Sequence, residues 1–424
     1  MIGFAGLSHL GIVSSIVIAA KTGDQVLAFD SDEDLCRDLT HGRLPIYEKG
    51  LAELFRENAG RIRFMSDPGG LASCRVIHVS IDIATDHQNR SDLTRFHHLF
   101  DTAVRAAPPD AVLAVMSQLP PGTMRTLAGA RRDIRLYYQV ETLIFGDAVD
   151  RARNPERFIV GCANPAERLP AAYRAILDVF GCPVVQMRYE SAELAKISIN
   201  VCLAASLSAS NTLAELCETV GADWSEIIPA LKSDRRIGPH AYLVPGLGIG
   251  GGNIERDLAA VQSMALTRGT DGGVIDAFLA NSAHRKNWPM RILKTHLLAH
   301  HPRPKIGIWG IAYKADTASI KNSPAVALMR ALAPLSLKAY DPQAMLDKDA
   351  APNGVQVTSA REAVEGADAL VVMTPWKEFS NVAPADVRAA MSGALIVDPF
   401  GVLDRQKCRA AGIRQFVLGV REDV

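Results

Sequence analysis

MIGFAGLSHLG, residues 1–11, sets a short apolar run against a glycine-bounded turn and leads straight into a helical pattern. GLSHLG, residues 6–11, matches the dinucleotide fingerprint GxGxxG with Ser8 at the second glycine. In that reading Gly6 permits the tight turn, and Gly11 allows the helix to pack closely on the strand. Backbone N–H groups at the helix N-terminus, those of Ser8, His9 and Leu10, would hold a pyrophosphate. Asp30 ends the next apolar run, VLAFD, roughly 20 residues on, where an acid takes the ribose hydroxyls. Its charge repels a 2′-phosphate, so NAD is expected and not NADP. Ser8 adds a β-carbon where backbone should approach phosphate, and a strand–turn–helix without a ligand is the plain alternative.

The rhythm continues outward from this turn. IGFAG, QVLAFD, RVIHVS and AVLAVMS read as parallel strands buried on both faces, with FIVGC and PVVQM as further strands before residue 185. SAELAKISINVCLAASLSASNTLAELCETVG, residues 191–221, is then one long helical pattern that closes on Gly221, and helical sequence runs on to about residue 299. HHPRPK carries the prolines of a linker. Beyond it KIGIWG, LKAYDP, ALVVMT and ALIVDP restore the α/β pattern. The expected architecture is α/β: a Rossmann-like, doubly wound domain over 1–185, a helical middle over 186–299, and a second Rossmann-like domain over 300–424.

Composition narrows the class. The chain has 424 residues, with 46 basic and 46 acidic side chains, which makes no electrostatic case for nucleic acid or an anionic membrane. Seven scattered cysteines without a CxxC pair argue for free thiols in a reducing compartment. The N-terminus lacks a basic region before Lys21, and no later stretch is expected to supply the roughly 20 apolar residues of a membrane span. A cytoplasmic protein is expected. His97-His98 and His300-His301 are adjacent pairs that cannot aim at one ion from a regular element, so no metal site is expected.

PGLGIGGGNIERD, residues 245–257, holds five glycines and then turns polar. A chain uses glycine where its backbone bends unusually or passes close to something. Together with GRLPIYEKGLAEL (42–54), SQLPPGT (117–123), NPERFIVG (154–161), ELAKISIN (193–200), DRRIGP (234–239) and GIAYKADTASIKNSP (310–324), it resembles the UDP-glucose/GDP-mannose dehydrogenase family nearly end to end. The resemblance implies two Rossmann-like domains joined by a long helix that is also a homodimer surface. It places NAD on the first domain, the nucleotide of a nucleotide-sugar substrate on the second, and the sugar in the cleft between. UDP is the default nucleotide. The family oxidises the C6 alcohol to a carboxylate with two NAD in sequence, a step of polysaccharide biosynthesis.

Residue by residue, the resemblance assigns roles. Lys196 and Asn200, four apart on the long helix, face one way and would stabilise a developing oxyanion. Glu141 in QVETLIFG matches a glutamate that acts as base or water-positioner, and Phe145 stands at the family's second glutamate. Asp257 closes the glycine-rich motif and helps position the lysine and a water. Gly250, Gly251 and Asn253 line that loop on the substrate side, Arg236 matches an arginine that reaches the neighbouring subunit's substrate, and Lys314 keeps a substrate-side lysine. Ser117 and Gln118 stand at the start of the family's STVPPGT, and Lys321 replaces an arginine expected to meet the cofactor.

The family's GxGxGGSCFPKD carries a cysteine that forms a thiohemiacetal and then a thioester. Here Gly252-Asn253 replaces the Ser-Cys pair, and an amide cannot form that intermediate. The family's GTP near residue 80 has become Ser80-Ile81-Asp82, and Phe400 replaces an arginine. Cys202, at about 120° from the Lys196–Asn200 face, is expected in the core, as is Cys217. Two functions follow: NAD-linked chemistry that stops at a two-electron oxidation or is redox-neutral, or a non-catalytic protein that binds NAD or a nucleotide sugar.

Overall fold

The computed structural model of the protein describes residues 1–86, 91–130, 134–346, 349 and 351–422. They divide into two compact units, Met1–Ile199 and Asn200–Val424.

The first unit carries β1 (Ile2–Ala5), β2 (Val26–Phe29), β3 (Ile62–Met65), β4 (Val76–Val79), the short β5 (Ala84–Thr85) and β6 (Ser91–Asp92), β7 (Val112–Val115), β8 (Arg135–Val140), β9 (Phe158–Cys162) and β10 (Val184–Arg188). Eight of these make one sheet in the order β10-β9-β8-β7-β4-β1-β2-β3. Every pairing in it is parallel except β8 with β9. The central strands β1, β2, β4 and β7 are buried along their whole length, as their uninterrupted apolar runs require. The chain order reverses between β1 and β4, and in such sheets ligands bind beyond the carboxyl ends of the strands at that switch.

The second unit repeats the plan with six parallel strands: β11 (Ile306–Trp309), β12 (Leu337–Tyr340), β13 (Gly354–Gln356), β14 (Ala369–Val372), β15 (Leu395–Val397) and β16 (Arg414–Phe416). Their order is β13-β12-β11-β14-β15-β16. Trp309, fully buried, stacks on Phe379 at 5.0 Å and donates its indole N–H to the Ala360 carbonyl at 2.8 Å. Both units are thus Rossmann-like and doubly wound.

Six strands depart from the expected set: the two-residue β5 and β6, which pair only with each other, and β3, β8, β13 and β16. Of these, β3, β13 and β16 flank the two large sheets and carry polar or exposed residues, which breaks the apolar run that marks a central strand.

The long helix runs Tyr189–Val220 and stops at Gly221, and the division between units falls within it. Helices Trp224–Ser233, Asn253–Arg268, Gly273–Lys286 and Trp288–Leu293 follow. One expectation is corrected here. By length and composition the long helix could cross a membrane, with a mean hydropathy of 1.3 over its most apolar window. No acidic or basic residue lies between Lys196 and Glu215, and interspersed serines and asparagines disguise that run. Within the second unit Glu218 of this helix accepts hydrogen bonds from the Trp288 indole at 3.0 Å and the Gly419 N–H at 2.9 Å, and it pairs with fully buried Arg285 at 3.3 Å.

Candidate functional site

In the first unit the turn after β1 has the geometry its glycines predict. Gly6 has φ of +99°, and its N–H donates to the Phe29 carbonyl at 2.8 Å. A β-carbon on Gly11 would lie 1.9 Å from the Gly6 carbonyl oxygen, so helix His9–Thr22 can approach the turn only with glycine there. Asp30 is 1% exposed at the end of β2 and accepts the Leu7 N–H at 2.8 Å. The exposed Arg95 guanidinium lies 3.3 Å from the same carboxylate. Ser117 is buried after β7 and accepts the Ile81 N–H at 3.1 Å, while Gln118 beside it is half-buried.

These features fit a dinucleotide: a left-handed turn, a helix packed close upon it, and an acid at the second strand's end. One carboxylate belongs to the same place. Asp82 Oδ2 accepts the Leu10 N–H at 3.1 Å, and the Asp82 N–H donates to the Ser8 hydroxyl at 2.8 Å.

Glu48, buried, accepts from the Gly146 and Ala148 N–H groups at 3.0 and 3.1 Å and lies 2.8 Å from His9 Nε2. Phe145 packs its ring 4.5 Å from that of His9. The segment after Glu141 is thereby brought to the first turn of the helix. Lys196 donates from Nζ to the Glu141 backbone carbonyl, not to its carboxylate. The Glu141 carboxylate accepts the Thr142 N–H at 2.6 Å, and burial pushes its pKa above the ordinary glutamate value, against the opposing effects of that bond and of the Lys196 charge. Buried Glu193 accepts the Gly122 and Met124 N–H groups at 2.7 and 2.8 Å, fixing the PPGT loop to the long helix.

In the second unit Asn200 donates to Asp257 at 2.5 Å, and Asp257, 1% exposed, also lies 3.4 Å from the Arg256 Nε. Asn253 is exposed and opens helix Asn253–Arg268. The glycines before it serve close approach: Gly251 has φ of +89°, and a β-carbon there would lie 2.7 Å from the Tyr313 ring. A β-carbon on Gly252 would meet the Lys321 side chain at 3.1 Å, and one on Gly250 would touch Tyr313 at 3.5 Å. Lys314 lies 5.9 Å from the centre of the Tyr313 ring. The loop therefore lies on the GIAYKADTASIKNSP segment. Glu255 pairs with Lys286 at 2.7 Å and accepts from the Asn322 amide.

Arg236 is exposed and pairs with Asp234 at 2.6 Å. Cys202 is exposed, which corrects its expected place in the core: the face of the long helix opposite its packed stripe carries it outward. Cys217 is buried. Arg95, Glu48, Tyr313 and the Glu255–Lys286 pair were not legible as site residues, although Glu48 lies in GRLPIYEKGLAEL, and Asp82 was marked only as part of the altered GTP segment. Among the described residues no cluster of histidine, cysteine, aspartate and glutamate could hold a metal.

Comparison with known proteins converges on one family. Residues 1–180 match the NAD binding domain of the UDP-glucose/GDP-mannose dehydrogenase family, residues 190–284 its central domain, and residues 307–405 its UDP binding domain. The chain is 28% identical to the UDP-glucose 6-dehydrogenase TuaD of Bacillus subtilis over 426 residues, covering 97% of this chain and 91% of the relative. It is 29% identical to a UDP-glucose 6-dehydrogenase of Pseudomonas aeruginosa, covering 93% and 91%. A UDP-glucose dehydrogenase structure from Pyrobaculum islandicum superposes with a TM-score of 0.84 at 23% identity, covering 100% of this chain and 98% of that one.

Proposed function

The chain belongs to the UDP-glucose/GDP-mannose dehydrogenase family with NAD as its cofactor, and from that premise we propose that it oxidises a UDP-sugar by two electrons, or isomerises it without net oxidation, and stops short of the thioester route. The observation that carries this reading is Asn253 at the head of its helix, in a chain with no cysteine between Cys217 and Cys408.

NAD, when bound, supplies the hydride acceptor. Gly6, Ser8, His9, Leu10, Gly11 and Asp30 would hold it, with Ser117, Gln118 and Lys321 as further contacts. Lys196 and Asn200 lie one helical turn apart and offer an ammonium and an amide to a developing oxyanion. Asp257 accepts from the Asn200 amide and so fixes the direction in which its remaining N–H can point. Glu141, with its raised pKa, takes the hydroxyl proton as general base. Gly250, Gly251, Asn253 and Lys314 would line the sugar and nucleotide sites, and Arg236 would reach a second copy in a homodimer. We assign the cofactor domain to 1–185, the helical region to 186–299 and the nucleotide-sugar domain to 300–424, in a cytoplasmic protein acting on polysaccharide precursors.

The test counts NADH per sugar consumed across UDP-, GDP- and TDP-sugars, with mass spectrometry of the products. One NADH, or an isomerised sugar with none, supports the proposal. Two NADH per sugar would sink it. The second reading, a non-catalytic binder of nucleotide sugar, is favoured by the Asp82 carboxylate at the helix N-terminus. Sugar affinity without turnover of any sugar would establish it.

A further inference from the structure

A departure from the dinucleotide fingerprint and a departure from the family's GTP segment are bonded to each other in the first unit. Ser8 stands at the second glycine, and Asp82 ends the Ser80-Ile81-Asp82 segment after β4. The Ser8 hydroxyl accepts the Asp82 N–H at 2.8 Å and lies 3.4 Å from the Ser80 carbonyl. In return Asp82 Oδ2 accepts the Leu10 N–H at 3.1 Å. Ser8 occupies the N-cap position of helix His9–Thr22, yet its side chain bonds no helix N–H. The cap comes instead from Asp82, 72 residues from Leu10 in sequence.

The first turn of this helix contains no acidic residue of its own. The Asp82 carboxylate is therefore the anion that answers the helix dipole and takes an N–H left without an intrahelical partner. Both β1 and β4 end at the switch point of the sheet, where a doubly wound sheet of this kind receives a dinucleotide's pyrophosphate at the helix N-terminus. One N–H cannot donate a full hydrogen bond to a carboxylate and a phosphate together, and the two anions repel.

We propose that Asp82 is a built-in competitor for the pyrophosphate position and sets the NAD affinity of this protein. NAD binding requires the Leu10 N–H to exchange the Asp82 carboxylate for a phosphate oxygen, and the Ser8–Asp82 bond resists that exchange. Affinity for the diphosphate part of the cofactor is lowered, while affinity for the adenosine part is not.

The experiment is isothermal titration of the full chain with NAD, ADP-ribose and adenosine. It compares the natural protein with Asp82→Asn, which keeps an acceptor for Leu10, and Asp82→Ala, which removes it. Circular dichroism checks that each is folded. Both variants are expected to bind NAD and ADP-ribose about two- to fivefold more tightly, the order set by one exposed charge at a helix N-terminus, with no gain for adenosine. Unchanged or weaker NAD binding in both variants overturns the proposal, as does an equal gain for adenosine. Absence of NAD binding throughout also overturns it. In that case adenosine binding that Asp30→Ala abolishes would preserve the crevice as a nucleotide site, and no adenosine binding would end the NAD assignment too.

Discussion

The side-chain amide of Asn200 donates to the Asp257 carboxylate at 2.5 Å, joining the long helix to the helix that follows the glycine-rich loop. Asp257 is almost wholly buried and also faces Arg256, so its charge is balanced by an amide and a guanidinium. Asp257→Ala removes the acceptor of the Asn200 amide and a carboxylate facing Arg256, and a loss of about 1–3 kcal/mol of stability is expected in urea unfolding. In the proposed chemistry kcat falls while KM changes little. Because the two residues act as one unit, Asn200→Ala with Asp257→Ala costs less than the sum of the single changes, and a double-mutant cycle measures that shortfall.

Glu141 carries a pH signature. Burial raises its pKa above the ordinary value, so it becomes a base only at a pH above the usual carboxylate range. The acid limb of kcat should lie correspondingly high. Glu141→Gln should abolish that limb and lower kcat by about 100-fold or more. A limb at the ordinary carboxylate pH in the natural protein, or one that survives in the variant, would remove Glu141 as the base.

Asn253→Cys places a thiol at the first residue of a helix, where the dipole favours the thiolate. We expect it to react with iodoacetamide faster than exposed Cys202, as peptide mapping by mass spectrometry would show. With the substrate in hand, the NADH yield per sugar should rise from one towards two. A variant that is labelled readily yet keeps the original yield would show that more than the nucleophile was rewritten.

His78 is fully buried in β4, stacked on Phe4 at 4.7 Å, and burial pushes its pKa down to about 4. A histidine that resists protonation only when folded leaves stability intact above its unfolded value near 6.5. Stability is then lost as the pH falls from there towards 4, by up to about 3 kcal/mol. His78→Phe should flatten this part of the profile of stability against pH. An unaltered profile would assign the acid sensitivity to other groups.

Arg285 has no solvent exposure and relies on Glu215 and Glu218 for its charge balance. Glu218→Ala removes one of these carboxylates and the acceptor of the Trp288 indole and the Gly419 N–H. A loss of about 3 kcal/mol is expected from a buried pair broken on one side. Changing Arg285 to Met together with Glu218→Ala should recover part of that loss. Equal destabilisation in the single and double variants would contradict the account.

Much was determined by the sequence alone. Central strands announce themselves because burial on both faces demands an unbroken apolar run, as in β1, β4 and β14. Gly6, Gly11 and Asp30 were legible because the turn and its acid are local, or nearly local, in the chain. The polar side chains were not. Lys196 could be placed on the same helical face as Asn200, but only the fold decided that its ammonium meets the Glu141 carbonyl, 55 residues away, while Asn200 meets Asp257. The antiparallel pairing of β8 with β9 and the charged edge strands β3 and β16 were likewise decided by tertiary structure. Asp82 stands out in sequence only as part of the altered GTP segment, and only the meeting of β1 and β4 at the sheet's switch point brings it to the Leu10 N–H. Local periodicity reports which face of an element is buried; it contains no term for the distant partner a buried polar atom must find.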